Sequence, residues 1–339
     1  MTDTASSLVA SAQRLADEVL FPAALGTDAT DVVPSDLLDS LADAGLYGLT
    51  GTTDCGGLDA DLATVCAVVE ALASGCLTTT FVWMQHLGAV RATCVSDRPA
   101  RATFAEALCR GRRRAGVAFA HLRRPGPAMV TATEVAGGWR LDGTAPWVTG
   151  WGRIDLVHIA ARLGEDIVWL LVDAHEAPTL SITPLWLAAV NASATVELTL
   201  DGHMVPDDRV TVIEPLRDWM ARDAAGLRVN GSLSLGLARR CCALLGPSPL
   251  DDAVKAARRD LDAASAGELP AVRAEASALA VRAAAALVAA GGGRSIVVTS
   301  DAQRLAREAM FLLVQGQTAA IRAEQARLLC SDDRQSPTA

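Results

Sequence analysis

The sequence predicts three segments in the order helical, β, helical. They are an N-terminal helical domain over 1–115, a middle antiparallel β-barrel or sandwich over 116–212, and a C-terminal four-helix bundle over 213–330, with a tail at 331–339. Three observations carry this reading. Apolar residues recur at helical spacing up to about residue 115, at period two up to about 210, and at helical spacing again beyond. Six of the seven tryptophans, all but Trp83, lie between 139 and 219. Gly, Asp and Pro punctuate the short β-type runs, whereas Gly246-Pro247, Gly267 with Pro270, and Gly291-Gly-Gly punctuate the long helical ones.

The opening stretch, MTDTASSLVASAQRLADEVL, carries acids where a signal peptide has a basic region, and it has no continuous apolar run. It reads as an amphipathic helix. After Pro34-Ser35, Leu37, Leu38, Leu41 and Leu46 recur at helix spacing, with Gly45 near the end. Leu62, Val65, Val68, Val69 and Leu72 make a helix behind the Gly56-Gly57 loop, and Leu77–Val90 and Ala100–Arg110 make two more. In the middle segment the β-type runs are 130–135, 139–143, 154–159 and 167–172. The clearest is Thr195-Val-Glu-Leu-Thr-Leu, which alternates as a half-buried antiparallel strand should. Helices are expected near 217–245, 250–265, 268–290 and 300–330; joined by short loops, they predict an antiparallel bundle. Ala-rich faces (Ala274, Ala278, Ala280, Ala283) allow close packing, including against another subunit.

Composition narrows the function classes. The 339 residues include 30 Lys+Arg and 39 Asp+Glu, a formal net charge of −9, with a pI near 5.1. Such a chain offers no net positive field for nucleic acid. With 51% hydrophobic and 20% charged residues it is not a disordered chain. A mean hydropathy of +0.27 raises the question of a membrane span. The apolar stretch Ala283–Ala290 falls well short of the roughly 20 residues required, so no membrane segment is expected and a cytoplasmic protein is. Eight cysteines show neither a CxxC pair nor Cys/His ligand spacing, as for buried small hydrophobes in a reducing compartment. Five dispersed histidines promise no metal site, and no phosphate-binding glycine motif or GxSxG occurs; Gly291-Gly-Gly-Arg-Ser reads as a loop.

Three phrases stand out. Leu141-Asp-Gly-Thr-Ala-Pro-Trp-Val-Thr-Gly resembles the G-x-K-x-W-I-T-N-G segment of acyl-CoA dehydrogenases. Upstream, Gly48-Leu-Thr through Cys55-Gly-Gly-Leu resembles their GI-x-x-P-E-x-Y-G-G-x-G, and Arg304-Leu-Ala-Arg-Glu-Ala resembles their R-L-x-R-D-A. The phrases occur in the family's order and spacing over roughly 10–330. The resemblance implies an oxidoreductase acting on the CH–CH bond of an acyl-CoA thioester, and a flavoprotein of lipid metabolism with FAD bound between the β domain and the bundle. It further implies that Trp147, Val148 and Thr149 lie beside the flavin ring, with Thr149 near its N5 edge. Phe119 and His121, in Ala118-Phe-Ala-His-Leu, fall where the family clasps the flavin, although the family's acid, Ser and Asp are replaced here.

The resemblance fails at the base. The family abstracts the α-proton of the thioester with a Glu in a Y-E-G-T turn, because that step requires a carboxylate in a dry pocket. Ungapped, that position falls on Gly316; with one gap it falls on Gln315, and neither takes a proton. Relatives that carry the Glu on the first bundle helix match near Gly226, where the nearest acid is Asp223. The family's R-x-x-F-G-x-P-I stretch is reduced to Gly246-Pro-Ser-Pro-Leu. No catalytic residue is therefore assigned. The expectation is an acyl-CoA dehydrogenase-like, base-lacking subunit of a homo- or hetero-oligomer, dependent on a Glu-bearing partner. A flavin-dependent monooxygenase on the same scaffold and a non-catalytic structural partner are the alternatives.

Overall fold

In a computed structural model the structure describes residues 3–223 and 226–330; the tail at 331–339 lies outside the described residues. The chain divides into two compact units, Met1–Arg222 and Asp223–Ala339.

The first unit opens with α1 (Asp3–Leu15), a single π-type turn (Ala16–Leu20) and α2 (Phe21–Asp28). The wide turn has a local cause. Pro22 lacks an N–H, and its ring would clash with the carbonyl four residues back, so the ladder loosens just before it. α3 (Ser35–Asp43) buries Leu37, Leu38 and Leu41 on one face. α4 (Leu62–Gly75) is capped by Asp61, whose carboxylate accepts from Thr64 N at 2.8 Å. α5 (Leu77–Cys94) is buried on nearly every face, as a central helix must be, and α6 (Ala100–Cys109) packs beside it. Gly57 is obligatory: a Cβ there would stand 2.2 Å from the Gly51 carbonyl oxygen.

Eight strands follow: β1 (Ala115–Ala118), β2 (Val130–Val135), β3 (Gly138–Val148), β4 (Leu156–Leu163), β5 (Asp166–Asp173), β6 (Leu180–Pro184), β7 (Val196–Pro206) and β8 (Val210–Pro215). They form one sheet in the order β6-β7-β3-β2-β4-β5-β8, with β1 also on β4. The sheet is sandwich-like and does not close into a barrel. Nor is it wholly antiparallel as expected: β1 and β2 both run parallel to β4. β1, β6 and β8 carry no clear alternation and were not among the expected strands. The core is filled by alternating residues such as Leu141, Ile159, Val168, Leu170 and Leu198. α7 (Leu216–Asp223) lays Trp219 against Trp169, Ala160 and Ile167.

Two buried histidines tie the first unit together. His86 of α5 donates from Nε2 to the Leu108 carbonyl (3.0 Å) and accepts on Nδ1 from Ala115 N (2.9 Å), so it joins α5, α6 and β1. His158 of β4 stacks on Trp169 and bonds Thr211 Oγ1 at 2.9 Å. That hydroxyl also bonds the Trp169 carbonyl, which accepts its proton, so His158 Nε2 is the donor in the first bond.

The second unit contains α8 (Gly226–Leu245), α9 (Pro249–Ala263), α10 (Leu269–Gly291), α11 (Asp301–Val314) and α12 (Ala319–Cys330). The Gly246-Pro-Ser-Pro-Leu stretch is the α8–α9 connection: Ser248 and Asp251 form a reciprocal capping box with Pro249 at the first helical position. The expected helix over 300–330 is two helices, broken at 315–318 where Gly316 takes φ +60°. The Gly291-Gly-Gly-Arg-Ser loop is a short 3₁₀ turn over Gly292–Ile296. Leu269–Ile296 corrects the estimate made from Ala283–Ala290: it is long and apolar enough to cross a bilayer by length and composition. Here α10 is surrounded by α8, α9, α11 and α12, the position of a bundle's core helix. Seven cysteines are buried, Cys330 is exposed, and none is in a disulfide.

Burial lowers the His86 pKa to about 4 and that of His158 to about 3. Between about pH 6.5 and pH 4 the unfolded chain therefore binds more protons than the folded one, and stability rises with pH across that window. Urea midpoints measured from pH 7.5 down to 4 should fall once pH drops below about 6.5, with the native state most stable above it. A midpoint independent of pH across that range would show that these rings are not buried neutral.

Candidate functional site

In the first unit the expected flavin residues lie on two neighbouring segments. The first is the C-terminal end of β3. Between Ala145↔Leu198 and Val148↔Val196, three steps along β3 oppose two along β7, so β3 carries one extra residue. Trp147 sits in that bulge at φ +63° with its side chain 45% exposed. A bulky residue in the left-handed region costs about 1–2 kcal/mol, so its surroundings must hold it there. Val148 points into the β core. Thr149 is buried, and its hydroxyl bonds Thr195 Oγ1 at 3.1 Å, which in turn bonds Ser193 Oγ at 2.8 Å. Backbone bonds from Gly150 N to Ser193 O (2.8 Å) and from Trp151 N to Ala194 O (3.2 Å) lock the same junction. Val190 and Ala194, which flank it, are also left-handed, at φ +52° and +46°. The Thr149 side chain is thus committed inside the protein, while Trp147 is presented at the surface.

The second segment is the 3₁₀ turn Ala120–Arg123 after β1, which packs against β3. His121 is buried; its Nε2 donates to the Ala160 carbonyl at 2.8 Å, and among the described residues its Nδ1 has no hydrogen-bond partner. Burial lowers its pKa, so the ring is neutral with a free acceptor nitrogen. Phe119 belongs to an aromatic cluster, 5.7 Å edge-on to Trp219 and 6.0 Å from Trp169, with the Arg123 guanidinium 4.9 Å above it.

In the second unit, the two positions matched to the family base lie at the end of α11. Gln315 is the last residue of that helix's cap and Gly316 the left-handed residue after it. The Gln315 amide donates from Nε2 to Asn230 Oδ1 (3.3 Å) and accepts on Oε1 from Arg273 Nη2 (3.4 Å). Arg273 of α10 is 1% exposed. Its remaining partners are the carbonyls of Leu312 (3.3 Å) and Gln315 (3.5 Å) and the Ser234 hydroxyl (3.2 Å), and its Nε has none. Among the described residues it has no carboxylate. Desolvation lowers its pKa to about 10. It holds its charge at the negative end of the α11 dipole. Arg304 is the contrast: equally buried, it is held by Asp301 and by both oxygens of Glu308. Asp223 closes α7 and does not sit in the first turn of α8.

Sequence reasoning did not find Arg273, Asn230 or the Ser193–Thr195–Thr149 chain of hydroxyls. An Arg within the Ala-rich, mostly apolar α10, which also carries Glu275 and Arg282, was the available signal for the first.

Residues 2–112 match the acyl-CoA dehydrogenase, N-terminal domain family. Among curated relatives, benzylmalonyl-CoA dehydrogenase of Aromatoleum aromaticum is 25% identical over 256 residues, covering 70% of this chain and 66% of that protein. The 3-sulfinopropanoyl-CoA desulfinase of Paraburkholderia xenovorans is 25% identical over 217 residues, covering 61% of this chain and 56% of that protein. These matches span less than two thirds of either relative. Butyryl-CoA dehydrogenase from Megasphaera elsdenii superposes with a TM-score of 0.82 at 17% identity, over 97% of this chain and 99% of that one. Residues 2–112 are thus similar to the acyl-CoA dehydrogenase N-terminal domain, the chain has the fold of the acyl-CoA dehydrogenases, and the resemblance read from its sequence is borne out.

Three substitutions check the local geometry. Trp147→Gly relieves the left-handed backbone and removes a half-exposed ring, so it should change stability by no more than about 1 kcal/mol. Trp139→Ala, in the β core, should cost about 3–5 kcal/mol. Gly316→Ala should destabilise by about 1–2 kcal/mol through its φ. The added Cβ meets only the movable Asn230 amide, at 2.8 Å. Denaturant unfolding of the three variants reads all of these; equal losses for Trp147→Gly and Trp139→Ala would refute the assignment of strain to the bulge.

Proposed function

We propose that this chain is a cytoplasmic, FAD-dependent acyl-CoA dehydrogenase-like protein that binds an acyl-CoA thioester and lacks its own α-proton base. Any α,β-dehydrogenation by it then depends on a carboxylate from a partner subunit. The observation that carries the reading is the end of α11: of the two positions matched to the family Glu, Gln315 is an amide held by Arg273 and Asn230, and Gly316 is a glycine.

The first unit fits a flavin ring at one end. Trp147 offers an exposed aromatic face on a rigid bulge, and His121 Nδ1 is a buried acceptor with no donor of its own. Trp147 would stack on the ring and exclude water, and His121 would accept a ring N–H. When bound, FAD supplies a two-electron acceptor. In the second unit, Gln315 cannot take a proton at any pH, and Gly316 has no side chain. The relatives support a CoA thioester as ligand, since two of them are named for one. One of these names is that of a desulfinase, so a chemistry other than dehydrogenation is compatible with this scaffold.

Two measurements test this. The purified chain, incubated with FAD and freed of excess by gel filtration, should retain flavin absorbance. Trp147→Ala should weaken retention about two- to tenfold, because aromatic stacking contributes about 0.5–1.5 kcal/mol beyond area burial. The loaded chain alone should then reduce an electron-accepting dye with butyryl-CoA at least about 10²–10⁴-fold more slowly than a Glu-bearing acyl-CoA dehydrogenase. Ordinary turnover by the isolated chain would place a base elsewhere and defeat the proposal.

A further inference from the structure

We propose that the Asn230–Gln315 amide pair is a binding site for an anionic group, a carboxylate or sulfinate, carried on the acyl part of the thioester; this rests on the acyl-CoA reading above.

The Arg273 guanidinium orients the pair. A guanidinium has donors and no acceptor, so the Gln315 side-chain oxygen must face it and the Gln315 NH₂ must face away. That NH₂ gives one hydrogen to Asn230 Oδ1. Because its oxygen is engaged, Asn230 turns its own NH₂ toward Gly316, where a Cβ would come within 2.8 Å of it. One N–H of Gln315 and the N–H groups of Asn230 then have no acceptor among the described residues. Both residues are only half-buried, so these donors are open to a ligand. Gly316, with no Cβ, lets the Asn230 amide lie close against the backbone there. Behind the pair lies a buried positive charge with no carboxylate among the described residues and with its Nε unpartnered. Donors in front and a cation behind favour an anion over a neutral group. In this assignment Asn230 and Gln315 touch the ligand, and Arg273 is a positioning residue that sets the polarity of the pair.

With one gap, position 315 matches the Glu that accepts a proton in Glu-bearing relatives; here it donates hydrogen bonds. An acyl group with a second acid would therefore be preferred to its uncharged isostere.

The test is isothermal titration of the FAD-loaded, full-length chain with succinyl-CoA and glutaryl-CoA, and with butyryl-CoA and pentanoyl-CoA. At least one of the carboxyl-bearing thioesters should bind tenfold or more tightly than its uncharged counterpart of equal chain length. Gln315→Glu, which puts a like charge in place of a donor, should abolish or reverse that preference. Arg273→Gln, which no longer dictates which way the amide faces, should lower the preference while thioester binding persists; an unchanged preference would overturn the positioning role. Equal affinities within both pairs in the wild-type chain would overturn the inference and leave the acyl-CoA reading intact, whereas no binding of any of the four would overturn both. A ligand-free measurement guards against misfolded variants. Gln315→Glu gives Arg273 the carboxylate it lacks, so its Tm should exceed that of the wild type at neutral pH, and the gain should vanish once acid protonates the new carboxyl. A Tm unchanged or lowered at neutral pH would mean that the amide does not face Arg273, and the inference would fall.

Discussion

The geometry of the first unit depends on one uncharged ring. His86 accepts the Ala115 N–H and donates to the Leu108 carbonyl, so the end of α6 and the start of β1 are held to the middle of α5. A protonated imidazole cannot accept, and a ring flipped to the other tautomer would leave both backbone groups buried and unpaired, each at about 1–3 kcal/mol. The register of β1 on β4 follows from where that bond anchors Ala115. From β1 the chain enters the turn that carries Phe119 and His121. A side chain more than thirty residues earlier in sequence thereby helps fix where the candidate ring site begins.

The other side of that site is held by a different device. Trp147, Val190 and Ala194 each sit in the left-handed region, and together they cost about 3–6 kcal/mol. Against this stand two backbone hydrogen bonds and the buried hydroxyl chain Ser193–Thr195–Thr149. At about 1 kcal/mol net for each bond, the two sides are of similar size, and neither dominates. The strained conformation persists because leaving any of these buried groups unpaired would be more costly than keeping the bulge. The polar side chains of this junction are consequently occupied with structure, and what remains for a ligand is the exposed face of Trp147.

Much of this was legible in the sequence, for reasons that differ by residue. Leu37, Leu38 and Leu41 announce α3, because a surface helix buries one stripe and the stripe is local. Thr195–Leu200 announces β7 for the same reason at period two. β1, β6 and β8 were missed: each is four to six residues long, and none buries and exposes residues in strict alternation. The break at 315–318 was invisible because Gln-Gly-Gln-Thr holds a single Gly, and only the structure reveals its φ. The Trp147 phrase was readable as a motif, yet its strain depends on Val190 and Ala194, more than forty residues away. Arg273 escaped notice because periodicity counts apolar residues and treats a charge within an Ala-rich helix as surface. It is among the most buried side chains in the chain.

Among the described residues, the second unit buries three guanidinium groups, and their partners explain why an amide suits position 315. Arg304 has Asp301 and Glu308, and Arg228 has Asp262 at 2.5 Å and the Ser232 hydroxyl. These charges are matched within one or two helical turns or across one helix pair. Among the described residues, Arg273 is matched only by dipoles, namely the carbonyls at the end of α11, a serine hydroxyl and the Gln315 oxygen. A carboxylate at 315 would complete the pattern set by the other two, and for that reason it would be a weak base: an adjacent buried cation stabilises the ionised form and depresses its affinity for a proton. Proton abstraction calls for a carboxylate that is poised and not already paired. With Arg273 in α10, changing Gln315 alone would therefore create an ion pair before it created a catalyst. The amide at 315 and the buried arginine are two parts of one electrostatic arrangement, and an unpaired carboxylate at 315 would require removing that arginine.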